Sequence, residues 1–565
     1  MSISSTIKSI QDIMRKDVGV DGDAQRIGQL VWMLFLKIFD DREMEWELLD
    51  DDYRSPIPES YRWRNWAADP EGITGDALKE FIDSRLFPTL QTLDQYSQTP
   101  AAFVVRGVFE DAYNYMKSGQ LIRQVINKIQ EGVDFNRAQE RHAFGDMYEQ
   151  LLRDLQNAGN AGEFYTPRPV TEFMVRMVDP KLDDKVMDPA CGTGGFLTCT
   201  IEHKRQHYVK TAEDERALQA SIFGVEKKPL PHLLATTNMI LHGIEVPSQI
   251  RHDNTLARPL TSWGPKERVD CIVANPPFGG MEEDGIEANF PATFQTRETA
   301  DLFLVLIMHL LKDGGRAAVV LPDGFLFGEG IKSRIKEKLL TECNLHTIVR
   351  LPNGVFNPYT GIKTNLLFFT KGTPTRHVWF YEHPYPAGYK NYSKTRPMRV
   401  EEFAAEQAWW GSEADGFASR EENEFAWKFD FASCRQEAEQ AAKPHWEQAD
   451  QLNADAGSLE SQSRSLRGSL TGVTDQTQRK HVEQQMAKLR EQALALRQQA
   501  RAAQSRGDQL YWPIYNLDHK NPHRAETASH DPDELLRDYA TLQGEIAELR
   551  EQLKAVLADA LESKA

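Results

Sequence analysis

Cysteine is scarce in this sequence. There are five in 565 residues, Cys191, Cys199, Cys271, Cys343 and Cys434, and none has CxxC spacing. That excludes a disulfide framework and a cysteine-rich zinc site, and no metal is expected. Free thiols in a reducing compartment are predicted. No apolar run reaches the roughly 18 residues of a membrane helix. The longest, LVWMLFLKIF from Leu30 and LFLVLIMHLL from Leu302, suit buried helices, so no membrane role is expected. The N-terminus MSISSTIKSIQDIMRK lacks the apolar centre and cleavage site of a signal peptide, which predicts a cytoplasmic protein. Positive charge is also short: 66 Lys and Arg stand against 84 Asp and Glu, a formal net charge of -18. This balance opposes non-specific adhesion to a polyanion, because phosphate binding rests on clustered cations that release counterions. There is no zinc finger, RNA-recognition signature or long basic run. A nucleic-acid substrate would have to be held with outside help.

What is present suffices for globular cores: 40% of residues are hydrophobic and 10% aromatic. Domains of about 150 residues would make three or four units of this length. The texture divides into a helical front (1–160), an α/β middle with an extension (161–435) and a helical tail (436–565). In the front, the helical pattern runs from Gln25, and RHAFGDMYEQLLRDL places Phe144, Met147, Tyr148, Leu151, Leu152 and Leu155 on one face. In the middle, short apolar runs (DDKVMDP, SIFGVE, VDCIVANPP, GRAAVVLP, LHTIVRLP, TNLLFFT) alternate with helical stretches, which predicts a doubly wound, Rossmann-like α/β domain. Ligands of such sheets sit beyond the carboxyl ends of the strands. In the tail, Leu535, Tyr539, Leu542, Ile546, Leu549, Leu553, Val556 and Ala560 form a heptad seam begun by the helix-start signal Asp531-Pro532 with Glu534. A second seam passes through Val482, Met486, Leu489, Ala493, Leu496, Ala500 and Ala503. The tail is either an internal antiparallel hairpin or a docking arm.

Two segments carry the chemistry. In VMDPACGTGGF a strand ends at Asp188, and the glycine turn Gly192, Gly194 and Gly195 lets backbone approach a ligand closely. A G-x-G-x-x-G dinucleotide turn would need glycine where Leu197 stands, and no Walker lysine follows, so both phosphate-binding readings weaken. A second acid, Glu226 in FGVEKK, closes the next strand, where it can accept both hydroxyls of a ribose. Asp188 can face an ammonium. An adenosine with a cationic amino-acid arm is S-adenosylmethionine. In DCIVANPPFGG, the prolines fix the loop so that the Asn275 amide oxygen and the Pro276 carbonyl can aim at one –NH2 group, and Phe278 offers a stacking face. Acceptors on both N–H bonds favour a pyramidal nitrogen whose lone pair can attack a sulfonium methyl.

These motifs, with GEFYTPRPV at 162–170, FGDMYEQLL before it and YNLDHKNPH at 515–523, make the chain resemble the modification (methyltransferase) subunit of type I restriction-modification systems. The likeness covers nearly the whole length. It implies a DNA adenine-N6 methyltransferase that flips its target base out of double-stranded DNA, at a cost of a few kcal/mol. It further implies that Tyr165, Thr166 and Pro167 border the cofactor, that Asp188, Ala190, Gly192 and Gly194 hold its amino-acid part, Glu226 its ribose and Asp253 its adenine. Asn275, Pro276, Pro277 and Phe278 would hold the target base. The broader adenine-methylase pattern has tyrosine at the last position; phenylalanine keeps the stacking and loses the hydroxyl. The resemblance also implies a specificity subunit that reads the sequence, two copies of this chain on it, and a restriction subunit. Two rivals remain: an N-P-P methylase acting on another amine, such as protein glutamine or ribosomal guanine, and an assembly subunit whose catalytic centre is inactive. The helical front and heptad tail disfavour the first, and the intact Asn275–Phe278 loop disfavours the second.

Overall fold

The computed structural model describes residues 3–95, 97–132, 148, 166–357, 360–393, 395–470 and 476–524, with isolated positions from 539 to 554. Tyr165, and all of 144–155 except Tyr148, lie outside the described residues. Residues Met1–His519 form one compact unit and Lys520–Ala565 a second.

Nine strands make one sheet in the order β3-β2-β1-β4-β5-β7-β6-β8-β9. They are β1 (Val186–Asp188), β2 (Ile222–Glu226), β3 (Ile250–His252), β4 (Val269–Ala274), β5 (Leu311–Pro322), β6 (Cys343–Arg350), β7 (Thr364–Lys371), β8 (His377–Glu382) and β9 (Ala426–Asp430). Strands β1 to β5 are mutually parallel. Antiparallel β7 is inserted between β5 and β6, and β9 runs antiparallel to β8, so the sheet is mixed. The α/β class expected for the middle therefore holds. The aromatic-rich stretch after Lys371 supplies β8 and β9 and widens the sheet.

Both faces of the sheet are covered. Alternate residues of β4 and β5 point to opposite sides, as the pleat requires. Cys271, Val273, Ala318 and Val320 join a core with helix Arg168–Val178. Ile272, Ala274, Val319 and Leu321 join another with helices Thr299–Leu310 and Ile331–Glu342. Helix Thr299–Leu310 (TADLFLVLIMHL) is apolar nearly all round because it is enclosed nearly all round.

The front is helical, as its pattern predicts, and begins earlier than Gln25, with helix Ile3–Met14. Its core includes Leu233, Leu234 and Ile240 of helix Pro229–Leu241, so front and sheet share one packed layer. Tyr148 donates its hydroxyl to the Leu234 carbonyl at 3.0 Å.

The tail contains an antiparallel hairpin of helices Phe431–Ser469 and Gln476–Tyr511. Its buried line consists mostly of small residues seven apart, Ala442, Ala449, Ala456 and Ser463 on one helix and Met486, Ala493, Ala500 and Gly507 on the other. Val482, Leu489 and Leu496 are only half-buried. The chain then returns to the sheet: Tyr515 and Leu517 are buried, and Arg350 pairs with Asp518 at 2.6 Å. In the second unit, the described seam positions Tyr539, Ile546, Leu549 and Leu553 are all exposed.

Candidate active site

Because β1 to β4 are parallel, the residues that follow them emerge at one edge of the sheet. Register places Asp188 beside Gly224 and Glu226 beside His252. Here lies a cavity of about 320 Å³, within the roughly 300–1,000 Å³ of small-molecule sites. Of the residues singled out in the sequence, Thr166, Asp188, Ala190, Gly192, Gly195, Glu226, Asp253, Asn275 and Pro277 line it. Pro167, Gly194, Pro276 and Phe278 do not.

The glycine turn builds one wall. Gly192 and Gly194 adopt φ of 53° and 82°, a left-handed conformation that favours glycine. Gly194 caps helix Gly195–His207, and a Cβ there would sit 3.1 Å from Met239 Cε. Asn238 clamps the turn by donating to the Thr193 carbonyl at 3.1 Å. Gly224, which the sequence reading passed over, lets this helix settle on β2: a Cβ there would lie 2.9 Å from Leu197 Cδ1. Its only signal is a glycine within a strand pattern.

The acids differ in setting. Asp188 is 1% exposed and accepts the Ala190 N–H at 3.1 Å. Burial, reinforced by nearby Glu226, pushes its pKa up to about 8. Glu226 accepts Gly192 N–H at 2.9 Å and Lys228 N–H at 2.7 Å, yet burial still raises its pKa. Cys191 lines the same wall, and burial with the two acids pushes its thiol up, away from the thiolate form. Asp253 is exposed and accepts the Asn254 N–H at 2.8 Å; the cap of the following short helix is Asn254, which accepts Leu256 N–H. Asp253 itself therefore caps no helix.

The opposite wall is the loop after β4. Asn275 donates Nδ2–H to Thr166 Oγ1 at 2.9 Å, while its Oδ1 is buried without a hydrogen-bond partner. A buried amide oxygen of this kind has acceptor capacity free for a ligand donor. Pro276 is buried and Pro277 exposed. The half-buried Phe278 ring meets Phe356 edge-on at 6.2 Å and packs against the core beside helix Arg168–Val178.

Sequence reasoning missed the roof. Glu282, 8% exposed, accepts Thr299 Oγ1–H at 3.1 Å and lies 3.4 Å from Lys227 Nζ. Lys227 stood beside Glu226 in FGVEKK, whereas Glu282 lies in an irregular loop with no period to mark it. Thr299 and Phe303 reach the cavity from a helix whose apolar run reads only as core.

The assembled site is an acid-lined cleft containing a cation-seeking buried carboxyl, with an unpaired amide oxygen at its edge. The family model described as N-6 DNA methylase matches residues 139–453, and the one described as HsdM N-terminal domain matches residues 3–129. The Type I restriction enzyme EcoEI methylase subunit of Escherichia coli is 60% identical over 99% of both chains. A solved modification subunit of a putative type I restriction enzyme from Vibrio vulnificus YJ016 is 45% identical, with a TM-score of 0.68, covering 76% of this chain and 92% of that one. A chain from a structure of type I R-M system assembly and conformational transition is 32% identical, with a TM-score of 0.71 and 99% of both chains covered.

Proposed function

The chain belongs to the N-6 DNA methylase family as the methylase subunit of a type I restriction-modification system, and on that premise we propose that its cleft holds S-adenosylmethionine and presents a flipped adenine to it. The reading is carried by one observation: the buried, unpartnered Asn275 Oδ1 at the edge of a cleft that also holds a buried carboxyl without a cation.

The residues fit this cofactor. Asp188 gains the cation that its burial demands, Glu226 has lone pairs left to accept ribose hydroxyls, and Asp253 stands beyond β3 for the adenine amine. Thr166 and Pro167, with Tyr165, border the amino-acid end, and Ala190, Gly192 and Gly194 let the backbone approach it. When bound, S-adenosylmethionine supplies an electrophilic methyl group. Asn275 Oδ1 and the Pro276 carbonyl accept the two N–H bonds of the target amine, and so draw its lone pair out of conjugation. Pro277 stiffens the loop. Phe278 stacks on the extruded base from its seat against Phe356. No strong base is required before attack.

We take the sheet to be a Rossmann-like methyltransferase core, and the chain to work as three parts: helical front (1–160), catalytic middle (161–435) and docking tail (436–565). With a net charge of -18, duplex DNA is gripped jointly with a specificity subunit, two copies of this chain flanking it, and a restriction subunit joins that complex. The exposed seam positions Tyr539, Ile546, Leu549 and Leu553 supply an apolar stripe for helix-on-helix docking. The assembly works in the cytoplasm.

The test is to incubate the chain, with and without its specificity subunit, with radiolabelled S-adenosylmethionine and unmodified genomic DNA, then digest to nucleosides. Label in N6-methyl-2′-deoxyadenosine only with both subunits is the expected result. Label in cytosine, in RNA or in protein would overturn the reading.

A further inference from the structure

The same Asn275 has a second end, and its partner is a residue the motif alone assigned to the cofactor. An asparagine amide presents its oxygen to a substrate only if its nitrogen is held elsewhere; a free amide can rotate and offer N–H donors, which would repel the donors of an incoming amine. In this protein Asn275 Nδ2 is held by Thr166 Oγ1 at 2.9 Å, across a sequence separation of 109 residues. The oxygen left over is the buried, unpaired Oδ1.

Thr166 is itself fixed. It precedes Pro167, and a residue before proline is confined to extended backbone. Pro167 is the N-cap of helix Arg168–Val178 and holds φ at -54°. That helix is pinned at its start, where Arg168 donates to Thr198 Oγ1 at 3.0 Å and pairs with Glu202, both on the helix that follows the glycine turn. Further along, Phe173 stacks on Phe403 with ring centroids 4.2 Å apart. Hydroxyl, proline, helix and glycine turn thus form one rigid path from the cofactor wall to the amide.

We propose that Thr166 is a positioning residue for methyl transfer: its hydroxyl oxygen accepts from Asn275 Nδ2 and locks the amide with Oδ1 turned to the target amine. This rests on the adenine-methylase reading and changes the expected role of Thr166, which borders the cofactor cavity but acts through Asn275. A threonine with only a cofactor-lining role would affect cofactor affinity. One with an orienting role affects the transfer rate.

The test uses the full chain assembled with its specificity subunit on unmodified genomic DNA, comparing wild type, Thr166→Val and Thr166→Ser. Valine keeps the shape and deletes the acceptor; serine restores the acceptor without the methyl group. Two quantities are read: the single-turnover methylation rate, and S-adenosylmethionine affinity by equilibrium binding without DNA. Thr166→Val is expected to slow transfer by about a hundredfold, the size of effect that misplacing a reacting group produces, with a far smaller loss of cofactor affinity and the helix content of wild type. Thr166→Ser is expected to recover most of the rate. A valine variant with the wild-type rate, or one losing rate and cofactor affinity by the same factor, overturns the proposal. If wild type itself leaves adenine unmethylated, it is the underlying reading that fails.

Discussion

A carboxyl buried without a cation costs the free protein stability to the extent that its pKa is raised, and Asp188 is such a group. Its ordinary pKa of 3.8 rises to about 8 on burial. Below pH 4 both folded and unfolded chains hold the proton, and there is no penalty. Between pH 4 and 8 the unfolded chain ionises while the folded one keeps its proton, so stability falls as pH rises; above about 8 the penalty is constant. Asp188→Asn removes the titration, and is expected to raise Tm at pH 8, to leave it nearly unchanged at pH 4, and to abolish cofactor binding. Thermal scans at the two pH values and a cofactor titration check this, and an equal Tm shift at both would count against it. Asn275→Ala separates the functions differently. It deletes an acceptor whose role begins with the target amine, so transfer should fall by about 10²–10³, the usual loss when a preorganised polar partner is removed, while cofactor affinity stays at the wild-type value. Single-turnover rates and equilibrium binding decide it; equal losses in both would move Asn275 into the cofactor site.

Between elements, fit is set by residues too small to signal in a sequence pattern. Gly224→Ala would bring a Cβ within 3.0 Å of Leu197 Cδ1 and Ile250 Cδ1, and 3.2 Å from Cys191 Sγ. The Leu197 and Ile250 side chains must then give way, at about 1–3 kcal/mol for an overpacked site. Because Gly192 N–H reaches across to Glu226, weaker cofactor binding is expected alongside the lower Tm. In the hairpin, Gly507 packs so that an added Cβ would sit 2.5 Å from Trp446 Nε1, which donates to Asp508 at 3.0 Å. These contacts mark the limit of what the sequence allowed. Asp188, Glu226 and Asn275 were legible because strand ends are punctuated by glycine and proline, and the ligand edge of a parallel sheet follows from its topology. The insertion of β7 was not, since a buried run such as TNLLFFT has the same texture in either direction. In the tail, Val482, Leu489 and Leu496 read as the seam because apolar bulk is the usual signal. Of the expected seam Met486, Ala493, Ala500 and Ala503 are indeed buried, and their mostly small side chains let the helices approach and leave the larger Val482, Leu489 and Leu496 at the margin. Phe278 was legible as an aromatic, but not in its orientation, which Phe356 sets from a loop far along the chain.

At the scale of the molecule, the question is where the catalytic unit ends. The chain leaves the hairpin through Tyr511 and Tyr515, whose hydroxyls lie 2.7 Å apart, and Tyr511 donates to Glu337 on helix Ile331–Glu342 at 2.6 Å. Leu517 N–H donates to the Leu326 carbonyl at 3.0 Å, Arg350 pairs with Asp518, and the His519 ring lies 4.0 Å from that of Phe429. YNLDHKNPH therefore begins as a clasp that seals β8, β9 and the helices behind them. Removing Tyr511, Tyr515 and Leu517, each nearly fully buried, would uncover the core below, at roughly 1.5–3 kcal/mol for each large side chain. Two truncations follow. A chain ending at Arg524 keeps the clasp, and is expected to match the full chain in Tm and cofactor affinity. A chain ending at Leu510 loses it, and should unfold at lower temperature or be insoluble. If the heptad tail is the docking element, the Arg524 truncation also stops co-purifying with the specificity subunit and stops methylating DNA, although its cofactor site is intact. Thermal unfolding, cofactor titration and co-purification of the two truncations measure each part. Retained assembly by the Arg524 truncation would place the docking surface on the hairpin or the helical front.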